Sequence, residues 1–476
     1  MHSNWLTAVI SNAVPEELPV LVRTRREFTA LLADELAPLR KIAMFIMGDP
    51  ALALRVLQRA NAVPHRHFSA EVALLEDAGH MLGTHNLARV EAEANVADAV
   101  LTDERLASYQ RSAGRAVLAA LLAQDWAEID HDRFPAEVSL AALLNHLGEL
   151  FLLAHGDPRI NRYLDLVEVN HLLPHEAEYL ALGESLEELG YVLAQQWKLP
   201  EMVREAMRAR NAQYPRALCV MLATQIARHA FSNWQRPTLA SDLRLTADLL
   251  ALELLPLMRR INTVLIEFNR NASDYGVKPM KLLPMDNTAN LSSPWSVAFC
   301  LAPRADEVAA CRAVFTAEQP PSDRDEVLIQ LVRTLHHGLG LNRVVFARYH
   351  PRLQTLSAEF LVGTDFEPLF NRFRLMVDED SVVQELLTVS GAVWVNDDNA
   401  AAVLPRIPTT VLELIGVKRF FMASLWVNTQ VIGMVYADRR SESCQLDARS
   451  FKAFKQLVNE AGACLARLNG GLNVLG

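Results

Sequence analysis

Up to about residue 290, apolar side chains recur at helical spacing and alternating β-branched runs are scarce. Leu140, Leu143, Leu144, Leu147, Leu150 and Phe151 share one helical face. Leu189, Val192, Leu193, Gln196 and Trp197 share another, stopped by Lys198-Leu199-Pro200. Gly48-Asp49-Pro50 and Val63-Pro64 punctuate further helices, and the pattern continues from about Leu218 to Asn271. Residues 272–322 are irregular apart from an amphipathic helix at Ala305–Phe315, and they close with Gln319-Pro320-Pro321-Ser322, where two prolines cannot extend a helix. Beyond them the periods mix. A helix is expected at Asp325–Leu339, strands at Asn342–His350, Thr355–Val362 and Ala392–Asn396, and a helix near Asp380–Val389. Arg419–Val427 and Gln430–Arg439 flank Asn428-Thr429 as a hairpin, and a helix over Asp447–Leu468 ends the pattern. The expected fold class is multidomain: an N-terminal all-α domain, then an α+β domain with an antiparallel sheet. The boundaries read as an extension over 1–17, a helical domain over 18–271, a linker with a short helix over 272–322, and the α+β domain over 323–470.

The chain has 476 residues, 51% hydrophobic and 21% charged, enough for two or three cores. With 46 basic against 56 acidic residues, its formal charge of −10 argues against whole-chain attraction to nucleic acid or an anionic membrane. The string Arg204, Arg208, Arg210 and Arg216 is diluted by Glu201 and Glu205, so it reads as a solvated or partner-contacting face. The first residues lack the cationic-then-apolar order of a secretory signal, and Leu140–Leu153 and Leu245–Leu257 are too short and too charged to span a bilayer. A cytoplasmic protein is expected. The five cysteines, Cys219, Cys300, Cys311, Cys444 and Cys464, never form a C-x-x-C, so neither a disulfide framework nor a zinc knuckle is expected. P-loop, dinucleotide, nucleophile-elbow and zincin motifs are absent from the sequence.

Three segments of the helical part resemble the HDOD domain, a degenerate branch of the HD superfamily. Asp49–Val63, followed by an apolar helix ending in Leu82-Gly83, looks like its opening. Glu184–Met207, with a Gly, a Trp and a Leu-Pro at the family's spacings, looks like its close. Ala141–Leu153 occupies the place of the superfamily's histidine-aspartate helix. The resemblance spans roughly Leu18 to Tyr214. Active members hold divalent metals between histidine nitrogens and aspartate oxygens. Here the paired positions are Asn145-His146, the upstream histidine position falls near Arg111, the next is Leu186, the later histidine pair is Arg210-Asn211, and the last aspartate position lies near Thr224. A guanidinium offers a metal no lone pair. The resemblance therefore implies no catalytic residue, no metal ligand and no cofactor. His146 itself reads as a core histidine over a retained metal ligand, and Arg111 and Arg210 as partners of Glu149 or nearby aspartates over binders of a phosphate in the old cavity. His65 and His67, and the adjacent His336-His337, do not read as sites.

From about Asp323 to Leu468 the order of elements, and the run Arg419–Arg440 in particular, is similar to a GAF domain. That resemblance implies a small-molecule pocket under the sheet, which Trp394, Arg419 and Tyr436 could line. The alternative uses are a core position for Trp394 and a solvated cation for Arg419. The pattern of cyclic-nucleotide-binding members is absent, and neither Cys444 nor Cys464 is placed for a bilin.

The two resemblances together imply a non-catalytic, bacterial-type signalling protein in which a GAF-like sensor regulates an HDOD output module. Its expected partners are an unidentified protein, a small-molecule ligand of the GAF-like domain and a second copy of the chain. The alternatives are a divergent metal-dependent phosphohydrolase acting on nucleotides or cyclic dinucleotides, and a constitutive dimeric scaffold.

Overall fold

The computed structural model describes residues 4–34, 36–62, 71–170, 172–234, 238–285, 300–317, 321, 323–364, 367–377, 381–440 and 443–472. The chain forms two units. One contains His2–Val169 and Glu184–Trp295; the other contains Asn170–Gly183 and Ser296–Gly476. The helices include, in chain order, α1 (Asp103–Ile129), α2 (Pro135–Leu144), α3 (Leu147–His155), α4 (Pro174–Ala181), α5 (Leu186–Gln196), α6 (Pro215–Phe231), α7 (Ala305–Thr316), α8 (Arg324–Leu339) and α9 (Ala448–Leu472).

The first unit is helical, as the 3.6-residue spacing requires. The long α1 buries Leu118, Leu122 and Trp126, and α2 and α6 pack along it. Pro135 opens α2 at a position where a missing N–H costs nothing. Ser185 caps α5, its hydroxyl accepting from the backbone N–H of Glu187 and Glu188. The apolar stretch from Leu140 to Leu153 is not one helix: it breaks at Asn145-His146, which separate α2 from α3. Just past the break, α3 meets α5 backbone to backbone. A Cβ on Gly148 would lie 2.4 Å from the Leu186 carbonyl oxygen, so only glycine fits there. Pro135–His155 is long and apolar enough to cross a membrane, but 83% of its apolar window is buried in the unit's core.

The second unit is α+β. Its six-stranded antiparallel sheet has the order β3-β2-β1-β6-β5-β4, with β1 at Arg343–His350, β2 at Thr355–Val362, β3 at Arg374–Met376, β4 at Ala392–Val395, β5 at Phe420–Val427 and β6 at Gln430–Asp438. Period-two alternation divides each strand between two cores. Phe421 and Ala423 face Leu331, Phe454 and Leu457 of α8 and α9. Phe420 and Met422 face the opposite layer with Val383, Val411 and Ile415, which come from the short helices Val382–Thr388 and Thr409–Ile415. The β5–β6 hairpin turns at Asn428, whose left-handed φ of 54° suits asparagine. The sequence pattern misses β3 because three residues are too short for alternation to register.

Two features depart from the sequence reading. Residues 170–183, expected inside the helical domain of 18–271, belong to the α+β unit, because α4 is held there by polar contacts that hydrophobic periodicity does not report. Cys300 and Cys444, read as unpaired, form a disulfide with Cα atoms 5.3 Å apart. Their separation of 144 residues leaves no local spacing to recognise. Cys219, Cys311 and Cys464 are free and buried.

Candidate functional site

Three helices bring charge into the middle of the helical unit. Arg115 of α1 donates from Nη2 to both carboxylate oxygens of Glu149 of α3, at 2.5 and 2.6 Å. Arg228 of α6 lies beside them, its Nη2 3.4 Å from Nδ1 of His146. All four residues are at least nine-tenths buried. Burial opposes ionisation of Glu149, yet Arg115 and Arg228 outweigh it and hold the carboxyl below its ordinary range. Burial likewise opposes the charge on Arg115, and Glu149 reverses that and raises it. Burial, with Arg115 and Arg228 adding to it, keeps His146 well below the usual imidazole value and therefore neutral. Because the guanidinium can only donate, Nδ1 of His146 is the acceptor and the proton is assigned to Nε2, which finds no partner among the described residues.

Of the positions singled out from the sequence, His146 belongs to this cluster, and Arg111, Asn145 and Thr224 each precede one of its members by four residues. Arg111, four residues before Arg115, pairs with Glu168 at 2.9 Å and donates to the Phe231 carbonyl at 2.7 Å; Glu149 is taken by Arg115 instead. Asn145, four before Glu149, is half-buried at the end of α2. Thr224, four before Arg228, is buried with its hydroxyl unpartnered. Leu186 is buried at the first position of α5. Arg210 is half-buried in the short turn Ala209–Gln213. Asn211 donates to the Glu205 carbonyl and carboxylate and lines an open groove of about 580 Å³ beside Glu137 and Arg216. The other arginines of that stretch are engaged: Arg216 with Asp132 and Glu137, Arg204 with Glu71, and Arg208 over the Tyr191 ring. His65 and His67 lie outside the described residues.

This donor set does not suit a divalent metal. Three carboxylates, imidazoles or thiolates grouped closely enough to hold one are not found among the described residues. At the cluster itself two guanidiniums stand beside the single carboxylate, so the positive charge that would balance Glu149 is covalently part of the chain.

In the α+β unit, Ala347, Phe420, Met422, Met434 and Tyr436 help to line a small enclosed cavity of about 10 Å³ on the face covered by Thr409–Ile415. The wall is apolar except for Tyr436, whose hydroxyl is committed: it donates to Asp438 Oδ2 at 2.6 Å. Asp438 in turn accepts from Arg343 Nε at 3.0 and 3.2 Å. Trp394 packs on the other side of the sheet, against Phe421 and Phe451. Arg419 forms a two-bond pair with Asp397 at 2.7 and 2.8 Å.

A second buried polar layer lies where α4 packs. Glu176 accepts from Asn342 Nδ2 at 3.2 Å, and Tyr179 stacks on His337 with ring centres 5.4 Å apart. His336 gives Nδ1 to the Leu341 carbonyl at 2.6 Å. Burial is the main cause holding His175, His336 and His337 below the ordinary value, His336 at about 4. The sequence carries no signal for this layer, since His336-His337 read as two unrelated directions until α4 supplies a ring for both.

Residues 18–213 match the HDOD domain model, and this part of the chain is an HDOD domain. Among solved structures, the chain is similar to an HDOD domain protein of unknown function from Geobacter sulfurreducens, at 18% identity over 57% of this chain and 96% of that one, TM-score 0.34. It is similar also to the MmoQ response regulator from Methylococcus capsulatus, at 22% identity over 49% and 97%, TM-score 0.36. A third is a GAF domain/HD domain protein from Geobacter sulfurreducens, at 15% identity over 31% and 95%, TM-score 0.25. No curated protein matches significantly.

Proposed function

We propose that the chain is a non-catalytic signal-transduction protein in which the α+β unit is a GAF-like sensor and the HDOD domain is the output that presents a surface to a protein partner. The observation that carries this reading is the Arg115–Glu149–Arg228 cluster. A hydrolase of the HD type needs a cation to activate water and balance a phosphate, and here the buried cluster holds two guanidiniums and a single carboxylate already paired with one of them. Support for the sensor half is the six-stranded antiparallel sheet with helices on both faces. A sensor of this kind acts by population shift, binding one arrangement of the chain better than another.

Elemental analysis of the full chain after incubation with manganese, iron or nickel salts, followed by assay against cyclic dinucleotides, tests the reading. Substoichiometric metal and no turnover are expected. Stoichiometric metal with turnover overturns it in favour of a phosphohydrolase. Small-angle scattering across a metabolite panel tests the sensor half: at least one binder should change the scattering, and no change with any binder counts against it.

A further inference from the structure

The disulfide holds more than two loops. Cys300 begins a strap, residues 300–304, that lies across the end of α8. Its Leu301 is buried, and the Leu301 carbonyl approaches Gly340 so closely that a Cβ there would be 2.3 Å away, while Gly340 takes a left-handed φ of 64°. The strap adds its own grip on α4. The Tyr179 hydroxyl donates to the Ala302 carbonyl at 2.5 Å, and Arg304 returns a bond from Nη2 to the Tyr179 carbonyl at 2.8 Å. The Arg304 guanidinium also lies 4.3 Å over the Tyr179 ring, and its backbone N–H is held by the carbonyls of His337 and Gly338. At the start of the strap, Cys300 is bonded to Cys444 in the loop after β6.

We propose that Cys300–Cys444 is a redox modification site, and that its thiol state sets how firmly the α+β unit holds α4. Cys300 is an exposed residue, whereas Cys444 is buried. A dithiol reductant therefore reaches Sγ of Cys300 first: its thiolate forms a mixed disulfide there, and the electron pair of the broken S–S bond leaves on Sγ of Cys444, which takes a proton. The second thiol of the reductant closes on the first and releases Cys300 as a thiol. The pair gains two electrons and two protons, and the dithiol becomes a disulfide. The strap then keeps its hydrogen bonds but loses the constraint that makes them cheap to order. Since α4 lies inside the sequence of the HDOD domain, the thiol state acts on that domain's own chain. This device does not rest on a ligand in the cavity, so its failure would leave the proposed function standing.

Hydrogen exchange of the full chain, read by mass spectrometry with and without dithiothreitol, tests it. Reduction should speed exchange in peptides covering 174–181 and 301–304 by about tenfold or more, while α5 and the β5–β6 hairpin stay unchanged. Cys300→Ser should show the fast pattern in both conditions, with Cys444→Ala as the second variant if the first does not fold. Equal exchange of 174–181 in both states overturns the proposal. So does loosening of the whole sheet on reduction, which would make the bond a plain staple, or alkylation showing that both cysteines stay thiols after treatment with oxidised glutathione.

Discussion

Replacing Glu149 by Gln isolates the charge at the centre of the helical unit. The substitution keeps volume and one acceptor oxygen, but Arg115, whose side chain is 8% exposed, loses its counter-charge. Removing one partner from a buried pair costs roughly 3–5 kcal/mol, and because the substituted amide could still accept one bond the lower end applies, about 3 kcal/mol. For a unit of this size that lowers the helical transition by roughly 6–12 °C. Scanning calorimetry of the full chain should show the helical transition moving while that of the α+β unit stays put. Replacing both partners with apolar residues, Arg115→Met with Glu149→Leu, should recover part of the loss, since one of the two buried cations that face Glu149 goes with it. The acid limb adds a second readout. The carboxyl of Glu149 is held below its unfolded value in the fold, so its stabilisation is complete above about pH 4.3 and is lost as pH falls through the lower folded value; Glu149→Gln should lack that loss. A drop of less than about 1 kcal/mol would mean that the pair behaves as a surface ion pair, and the reading of the cluster as a buried, charge-balanced group would fall.

Gly148→Ala should destabilise the helical unit by at least about 2 kcal/mol by forcing α3 off the Leu186 carbonyl, and a thermal midpoint equal to wild type would contradict the close approach. The α+β unit should lose stability in mild acid. Unfolded imidazoles bind protons below about pH 6.5 while His175, His336 and His337 stay neutral in the fold. Stability is thus intact above that value and falls as pH drops towards about 4, with His336 alone accounting for roughly 3 kcal/mol; denaturant titrations giving a flat profile between these limits would refute it. Met422→Ala should enlarge the apolar cavity, costing about 2–4 kcal/mol and leaving a dry space that takes up benzene, seen as a rise in melting temperature with the hydrocarbon. No rise would show that the neighbouring layers close the gap.

The legible parts of the fold were those written in local periodicity. The hairpin around Asn428-Thr429 and the helices Arg324–Leu339 and Ala448–Leu472 stand within a few residues of where alternation and helical spacing put them. The break at Asn145-His146 was hidden because both sides keep the same apolar face. At the helical centre, the resemblance to the HDOD domain pointed to Arg111, Asn145 and Thr224, whereas the charges that meet, Arg115, Glu149 and Arg228, come from helices far apart in sequence. Their pairing is a product of tertiary packing, and no single-chain pattern reports it. The same holds for Cys300 and Cys444, and for Tyr179 with His336 and His337.

The course of the backbone through α4 has a practical corollary for anyone dividing this protein. The polypeptide crosses into the α+β unit near residue 170 and returns near 183, so no single cut yields two intact halves. A fragment ending at residue 213 would carry His175, Glu176 and Tyr179, all sealed from water in the whole molecule, on a helix stripped of Asn342, His336 and His337. The complementary fragment would open a gap of the same outline, and mixing the two in trans should restore what neither retains separately.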